Sequence, residues 1–586
     1  MYNSEIAKIF HEIALYLEMD NIPFKPQAYE KAAENLEILS EDIAEIYKSG
    51  GFEALEKISG IGKSMAEKIE EYLKKGKVKE LEILKKKIPV DLEALISVEG
   101  IGPRKVKTLY QKLKIKNLSD LEKAARDHKI APLDGFGEKT EQNILEGIEF
   151  LKRDKGRFLL GEIEPVVEEV IGKIKKIKEV KMISPAGSVR RKKETIGDVD
   201  ILVSIKKTSQ PAVAKAMAGK VMDFFVSLPG VVKIWGKGMT KSSVRMAGGF
   251  DMDIRVVPEK SFGSALQYFS GSKEHNIILR KIAIDKGLKL SEYGLFKGSK
   301  MIAGENEEGI YKKLGLKWIP PELRENSGEI EAALKNKLPK LVEPKDIFGD
   351  LHVHSNWNGG EDSMEELAQT AMKMGYEYIG ISDHTKFLRI ENGLDEKQLR
   401  ERNKEIDKIN SKFKIKNSKF RILKGCEANI MPDGSIDIDD KALSELDYVI
   451  AGVHSQLRMT KEEMTNRIIK AMENPHVDII SHPTGRIIKQ REEYEFDLDK
   501  ILEVARETKT VLEINSFPNR LDLKDTNIRK AKKAGVKMII NTDSHTKRTF
   551  SLMKYGIFQA RRGWAEKGDI INCWPVEKMK SFLKKS

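Results

Sequence analysis

From residue 349 onward the chain repeats one unit: a short apolar run that stops on a histidine, an acid or an asparagine, followed by a stretch of helical periodicity. The runs are Gly349-Asp-Leu-His-Val-His354, Tyr378-Ile-Gly-Ile-Ser-Asp-His384, Arg421-Ile-Leu-Lys-Gly-Cys-Glu427, Tyr448-Val-Ile-Ala-Gly-Val-His454, Asp478-Ile-Ile-Ser-His482, Val511-Leu-Glu-Ile-Asn515 and Met538-Ile-Ile-Asn-Thr-Asp-Ser-His545. Short apolar strands that alternate with helical stretches such as 363–374 predict a parallel βα barrel, with polar groups gathered at the carboxyl ends of its strands. Six of the ten histidines, His352, His354, His384, His454, His482 and His545, then share one topological level with Asp383, Glu427 and Asp543. One histidine at a strand end is ordinarily structural; six at one level predict a metal cluster. His352 and His354 face the same way on a strand and can chelate one ion. Mixed imidazole and carboxylate ligands suit Mn2+, Zn2+ or Fe2+.

A second stretch carries different chemistry. Residues 186–204 read Ala-Gly-Ser-Val-Arg-Arg-Lys-Lys-Glu-Thr-Ile-Gly-Asp-Val-Asp-Ile-Leu-Val-Ser. The apolar run after Asp198 is a strand candidate. Asp198 and Asp200 then project from one face, roughly 6.6 Å apart along the chain. Carboxylates so placed repel each other unless a cation lies between them, and hard oxygen ligands suit Mg2+ or Mn2+. Upstream, Gly187 and Ser188 can offer a backbone amide and a hydroxyl to a phosphate, and Arg190 or Arg191 can add a guanidinium fork. An anion binder and a metal site this close together suit a metal-bound nucleoside triphosphate.

Bulk properties narrow the class. A chain of 586 residues exceeds one core, so several domains are expected. Lys+Arg 104 against Asp+Glu 91 leaves +13, which favours a polyanionic partner. Two cysteines, Cys426 and Cys573, make no disulfide framework and fit a reducing cytosol. The start, Met1 to Phe10, lacks the basic segment and apolar core of a secretion signal. No apolar run approaches a membrane span, so a cytoplasmic protein without a membrane partner is expected.

Residues 2–85 read as short amphipathic helices, with Ile6, Ile9, Phe10, Ile13 and Leu17 at helical spacing. Within Ile58-Ser-Gly-Ile-Gly-Lys-Ser64, Gly60 and Gly62 separate two helical stretches, the pattern of a helix-hairpin-helix. It recurs at Gly100 and Gly102 in Val98-Glu-Gly-Ile-Gly-Pro-Arg104, and more loosely in Leu133-Asp-Gly-Phe-Gly-Glu-Lys139. Glycines there let backbone N–H groups at a helix start approach a DNA phosphate, which positions a duplex without reading its bases.

The 186–204 stretch resembles the nucleotidyltransferase signature of family X DNA polymerases, the DNA polymerase beta family. The resemblance covers essentially the whole chain. It matches the bacterial and archaeal form, in which a PHP (polymerase and histidinol phosphatase) phosphoesterase domain follows the polymerase. It implies a multidomain α/β protein: a helical lyase-like domain at 1–87, a helix-hairpin-helix fingers domain at 88–160, a nucleotidyltransferase palm at 161–258, a thumb at 259–334, a linker at 335–348 and a distorted (βα)7 PHP barrel at 349–586. In the palm, Asp253 of Phe250-Asp-Met-Asp-Ile-Arg255 matches the third catalytic carboxylate beside Asp198 and Asp200, and Asp251 is implied to be a bystander or a tuning charge. Gly187, Ser188, Arg191 and Gly197 fall on nucleotide-binding positions. Lys241, in the basic turn Trp235-Gly-Lys-Gly-Met-Thr-Lys241, falls on a template-primer phosphate contact. Tyr268, Phe269 and Gly271 match the sugar-recognition turn, and Asn276 and Arg280, one helical turn apart, match contacts to the nascent base pair and templating strand. Lys68 falls on the Schiff-base nucleophile of the lyase domain, with Lys25 and Tyr29 on further positions of that pocket; Ser64 and Glu80 stand where the eukaryotic enzyme carries lysines.

In the barrel the resemblance implies one metal on His352, His354, Glu427 and Asp543, a second held by His454 and His482 with Glu427 bridging, and a third on His384 and His545. The family's Ser-Asp-Gly after the first histidine pair is replaced by Asn358-Gly-Gly-Glu-Asp362, so Glu361 or Asp362 shifts in or the third ion is weak. Arg486 could clamp a phosphate. The implied activities are short-gap filling in DNA repair with Mg2+ or Mn2+ on gapped or primer-template DNA and deoxynucleoside triphosphates, and a 3′-to-5′ exonuclease using two to three Mn2+ or Zn2+ ions. Abasic-site endonuclease, 3′-phosphatase and deoxyribose-phosphate lyase activities are further expectations, and the protein is expected to be a monomer. The alternative is a repair nuclease whose polymerase half serves mainly to bind DNA.

Overall fold

Helical periodicity governs the first 155 residues, whereas short strands alternate with helices through the rest, and the chain divides accordingly. The structure is a computed structural model. It describes every residue except 1, 21, 38, 40, 41, 59, 99, 100, 154, 155, 389–391, 416–418 and 584–586. Two compact units result: residues 1–155 with 489–491, and residues 156–488 with 492–586.

The first unit is all helical. On Tyr2–Met19 the apolar stripe turns inward, with Ile6, Phe10 and Ile13 fully buried. Each such side chain contributes roughly 1.5–3 kcal/mol of transfer free energy. One core runs from this helix through to Ile148, and the Tyr16 hydroxyl donates to the Ile88 carbonyl at 3.3 Å. The expected boundary at 87/88 is therefore no break in packing; the break falls at 155/156. Two hairpins repeat one backbone. Gly62 (φ −85°, ψ 173°) precedes helix Lys63–Lys75, and Gly102 (φ −93°, ψ 172°) precedes helix Pro103–Leu113. Ile61 and Ile101 anchor the two turns in the core. Neither helix start carries a side-chain cap. Gly100 lies outside the described residues.

The second unit begins with a five-stranded sheet in the order Val180–Pro185, Asp198–Ile205, Asp251–Val257, Lys241–Met246, Val231–Lys237. Alternation sends Val199, Ile201 and Val203 into the core with helices Leu160–Lys175 and Pro211–Val226. Asp198 and Asp200 are thereby left on the opposite face. The next segment, from Phe262 to Leu334, closes on a buried ion pair: fully buried Arg324 forks onto Glu307 at 2.7 and 3.0 Å, and the Trp318 indole donates to the same carboxylate at 3.0 Å.

Residues 335–348, expected as a linker, are packed. Leu341 and Val342 are buried, Leu341 bridges Glu566, and the Lys340 amide donates to Glu566 at 2.8 Å. The Lys/Pro composition that suggested a spacer hides these apolar residues, which dock on the barrel.

The barrel strands Gly349–Val353, Tyr378–Ile381, Arg421–Lys424 with Glu427–Asn429, Ile450–Gly452, Ile479–Ile480, Val511–Asn515 and Met538–Asn541 pair parallel in chain order. The third position breaks at Gly425-Cys426, pairing back to Tyr378–Ile381 before the break and forward to Ile450–Gly452 after it. Tyr448 explains two glycines in this region. A Cβ at Gly380 or Gly425 would come within 2.2 Å of its ring or hydroxyl, which donates to the Leu351 carbonyl at 2.6 Å. A bridge between Val353 and Ser544 brings the last strand to the first. Among the described residues, no helix is long and apolar enough to cross a membrane.

Candidate active sites

Two sites lie in the second unit, and the sheet builds the first. Parallel pairing sets Asp200 beside Asp253 and Asp198 beside Asp251, and adjacent strands lie roughly 4.8 Å apart. Asp198, Asp200 and Asp253 thus share the open face at one end of the sheet. Burial, then the charges of Asp198 and Asp253, push the Asp200 carboxyl up to about 6. Lys241 lies 2.7 Å from Asp253. The three acids do not converge within 4.8 Å as the barrel ligands do; repulsion among them and the pull of Lys241 act against it. A repelling acid set on one face is nonetheless the environment that a divalent cation relieves. Asp251 is committed elsewhere, accepting from Arg245 at 2.5 and 2.9 Å and from the Trp235 indole at 2.7 Å. It stands outside the acid set, as the sequence implied.

Gly187 opens the short helix Gly187–Arg190 at φ +58°, and a Cβ there would sit 3.2 Å from Asp200 Oδ2. Glycine lets this turn lie against the acids. Both arginines that could add a guanidinium fork are engaged by carboxylates. Arg190 forks onto buried Glu307 at 2.8 Å on both sides and donates to Ser270 Oγ at 2.6 Å. Arg191 holds Glu325 at 3.1 Å and the Ser270 carbonyl at 2.5 Å. Both arginines thus draw Ser188 and its turn toward Ser270 at the end of helix Phe262–Ser270. There Gly271 (φ +40°) closes helix Phe262–Ser270, and a Cβ would come 3.0 Å from Asn276 Nδ2. Asn276 accepts from Gln267 at 2.6 Å and donates to the Tyr268 carbonyl at 2.7 Å. Tyr268 and Phe269 meet edge to face at 5.2 Å, and exposed Arg280 reaches the Asn276 carbonyl at 3.3 Å. Gly197 precedes Asp198 at the strand start.

The second site lies at the carboxyl ends of the barrel strands. Ligand atoms of His352, His354, Glu427 and Asp543 converge within 4.8 Å, as do those of His354, His384 and His545, and those of His384, Glu427 and His454. Glu427 is central. One oxygen lies 3.0 Å from His482, 3.1 Å from His454 and 2.9 Å from Ser481 Oγ; the other lies 2.9 Å from His384 and 3.2 Å from His352. Burial would raise the Glu427 carboxyl, but the imidazoles of His352, His454 and His384 outweigh it and hold it well below the usual range. His352 Nε2, both ring nitrogens of His354, His384 Nδ1 and Glu427 Oε2 are buried without a hydrogen-bond partner. Several bare donor atoms aimed at one another are costly unless a metal takes them up, so this donor set fits divalent ions.

Three barrel expectations meet different geometry. Asp383 is fully buried and accepts from the Ser355 amide and hydroxyl and from Arg402, so it braces the segment after His354 and lies outside the convergent ligand groups. Asp362 is taken by Lys547 at 2.8 Å, and Glu361 is exposed; neither fills the place of the family's third-site aspartate. Arg486 is buried on Glu194 at 2.8 Å and on the Leu521 carbonyl at 2.5 Å.

Glu513 escaped the sequence reading. It is fully buried, with one oxygen 2.7 Å from His352 Nδ1 and 3.0 Å from Asn541 Nδ2, and the other accepting from the His482 amide at 2.8 Å. A carboxylate only accepts, so the proton sits on His352 Nδ1 and Nε2 faces the cluster bare. An acid in the middle of an apolar run was the available signal. Glu513→Gln is expected to weaken metal binding about 10–100-fold, as read by metal titration of the dialysed protein; unchanged affinity would deny Glu513 this role.

In the first unit, Lys68 lies 3.0 Å from Glu80 and 2.9 Å from Ser64 Oγ, with Tyr29 donating to the same Glu80 at 3.0 Å. The two departures from the lyase pattern therefore contact the candidate nucleophile directly. Lys25 begins helix Lys25–Glu37 and is exposed.

Comparison with known proteins follows this division. Family models match as a helix-hairpin-helix domain (1–78), a tandem helix-hairpin-helix domain (92–149), DNA polymerase beta palm (160–228), DNA polymerase beta thumb (265–325) and PHP domain (350–517). A DNA polymerase/3′-5′ exonuclease PolX of Bacillus subtilis is 37% identical over 100% of both chains. A probable phosphatase of Clostridium acetobutylicum is 31% identical over 33% of this chain and 78% of its own. A Leishmania infantum polymerase beta in a ternary complex matches 40% of this chain and 97% of its own at 23% identity and a TM-score of 0.27, too low to carry a structural argument.

Proposed function

The chain belongs to the family X DNA polymerases that carry a carboxy-terminal PHP domain, and on that premise we propose a two-headed DNA repair enzyme that fills short gaps and trims 3′ ends at a separate site. In the first reaction a primer 3′-hydroxyl attacks the α-phosphate of a deoxynucleoside triphosphate and pyrophosphate leaves. Asp198, Asp200 and Asp253 would hold Mg2+ or Mn2+, which supplies charge neutralisation for attacking and leaving oxygens. Asp253, beside Asp200, takes up the proton of the 3′-hydroxyl. Lys241 exchanges Asp253 for a primer phosphate. Gly187, Ser188 and Arg191 bind the triphosphate. The Tyr268-Phe269-Ser270-Gly271 turn lies against the sugar and disfavours bulk at C2′, while Asn276 and Arg280 face the nascent base pair and templating strand. The uncapped helix starts after Gly62 and Gly102 hold duplex phosphates.

In the second reaction a phosphodiester or phosphomonoester at a 3′ end is hydrolysed. His352, His354, Glu427 and Asp543, with His454, His482, His384 and His545, would hold two to three Mn2+ or Zn2+ ions, which supply an activated water. Glu513 and Asn429 orient His352 and His454, the latter through a 2.8 Å contact. The convergence of bare buried donors on Glu427 carries this reading. The intact acid set on the palm face argues against a polymerase half that only delivers DNA. On a gapped duplex with Mn2+, the wild type is expected to add the complementary nucleotide when triphosphates are present and to shorten the primer when they are withheld; a primer unchanged in both conditions contradicts the proposal.

A further inference from the structure

The thumb carboxylate that holds Arg191 also has a partner in the barrel. Glu325 Oε1 accepts from Arg191 Nε at 3.1 Å and from Arg562 Nη1 at 3.1 Å. Arg562 ends helix Met553–Arg562, the helix that follows the last barrel strand. Its side chain is 3% exposed. The same Nη1 donates to the Arg191 carbonyl at 2.9 Å, and Nη2 donates to Asp525 at 2.5 Å. The neighbouring Arg561 donates to Glu322 at 2.8 Å and to the Val342 carbonyl at 3.0 Å. One buried network therefore joins the phosphate-binding turn, the closing segment of the thumb and the barrel. Two carboxylates, Glu325 and Asp525, face two guanidiniums, Arg191 and Arg562, with Lys193 contributing more distant positive charge.

We propose that Arg562, supplied by the barrel, is a positioning residue for the polymerase reaction: it holds Glu325 so that Arg191 can leave that carboxylate for the triphosphate. The inference rests on the reading above that Arg191 binds the triphosphate. Arg191 meets Glu325 through Nε and the Ser270 carbonyl through Nη1, so a two-nitrogen grip on a γ- or β-phosphate that keeps the Ser270 bond takes Nε away from Glu325. When it departs, Glu325 loses one of two cationic partners in a largely buried setting, where an uncompensated carboxylate is costly. Arg562 keeps Glu325 paired through the exchange and fixes the Arg191 carbonyl, so the turn stays in place while its side chain moves. Without Arg562, Glu325 keeps Arg191 as its hydrogen-bonded guanidinium, and that guanidinium is held back from the nucleotide. The barrel then assists nucleotide addition through a contact far from its own metal ligands in the sequence and independent of their chemistry.

The test is steady-state nucleotide addition on a gapped duplex, with 3′-end hydrolysis by the same preparations as the control for a folded barrel. Arg562→Gln is expected to raise KM for the triphosphate about tenfold, with kcat and hydrolysis within about twofold of wild type. Arg562→Lys, which keeps the charge and loses the fork, is expected to fall between the two. Glu325→Gln in the Arg562→Gln background is expected to return KM to within about threefold of wild type, because nothing then detains Arg191. Glu325→Gln alone is expected not to raise KM, and this arm stands even where Arg562→Gln fails to fold. A raised KM in Glu325→Gln alone, or a raised KM in Arg562→Gln that Glu325→Gln does not relieve, would overturn the proposal and leave Arg562 a purely structural residue. Arg191→Gln separates the two levels. If it raises KM while Arg562→Gln does not, the positioning role of Arg562 is wrong. If it leaves KM unchanged, the triphosphate role of Arg191 is wrong.

Discussion

Asp200→Ala is expected to reduce primer extension at least about a thousandfold, the order expected when a two-metal site loses a shared ligand. Hydrolysis of 3′ ends by the same protein is expected to stay within about twofold of wild type. The loss is not one of folding. Burial beside Asp198 and Asp253 pushes Asp200 up to about 6, so its charge at neutral pH is unfavourable to the fold without a cation. Since its folded value is raised, its contribution to stability is present at low pH and is lost as pH rises through about 6. Removing the carboxyl therefore relieves repulsion at pH 7 and above, and the variant is expected to melt no lower than wild type in chelator. Extension by Asp200→Ala near the wild-type rate would remove these acids from the reaction.

The barrel should respond more broadly. Among the described residues, Glu427 is the one side chain that meets His352, His384, His454 and His482 at 2.9–3.2 Å. Glu427→Ala is expected to abolish hydrolysis, by about a thousandfold or more, and to lower the metal content of the purified protein by at least one ion per chain. Prolonged chelation should lower the melting temperature as well, because the bare nitrogens of His352 and His354 then stay buried without partners. Elemental analysis together with calorimetry would read both effects. Full hydrolysis by a protein stripped of metal would refute the assignment.

The sequence exposed what each site needs chemically and hid what holds it in place. The six histidines stood out because they fall at or next to the ends of five apolar runs, and strand order then brings them to one mouth. Asp198, Asp200 and Asp253 stood out through strand alternation. Pairing register, which sets Asp200 beside Asp253, is a tertiary fact. Glu513 was hidden because a buried acid in an apolar run is interpretable only when its partner, His352, lies 161 positions away in the chain. Arg486 could clamp a phosphate by its sequence position; its contacts with Glu194 and the Leu521 carbonyl come from distant segments that the sequence does not reveal. The 335–348 stretch misled through composition, since three buried residues, Leu341, Val342 and Ile347, outweigh its lysines and prolines. Ser64 and Glu80 were readable as departures from the lyase pattern; their contact with Lys68 itself was not.

The most direct test of two independent sites is a single time course on one gapped duplex with Mn2+, reading primer lengthening and shortening together for wild type, Asp200→Ala and His352→Ala. The account predicts that Asp200→Ala only shortens the primer and His352→Ala only lengthens it, each at close to the wild-type rate for the retained activity. Loss of both activities in either variant, or shortening that persists in His352→Ala, would contradict it.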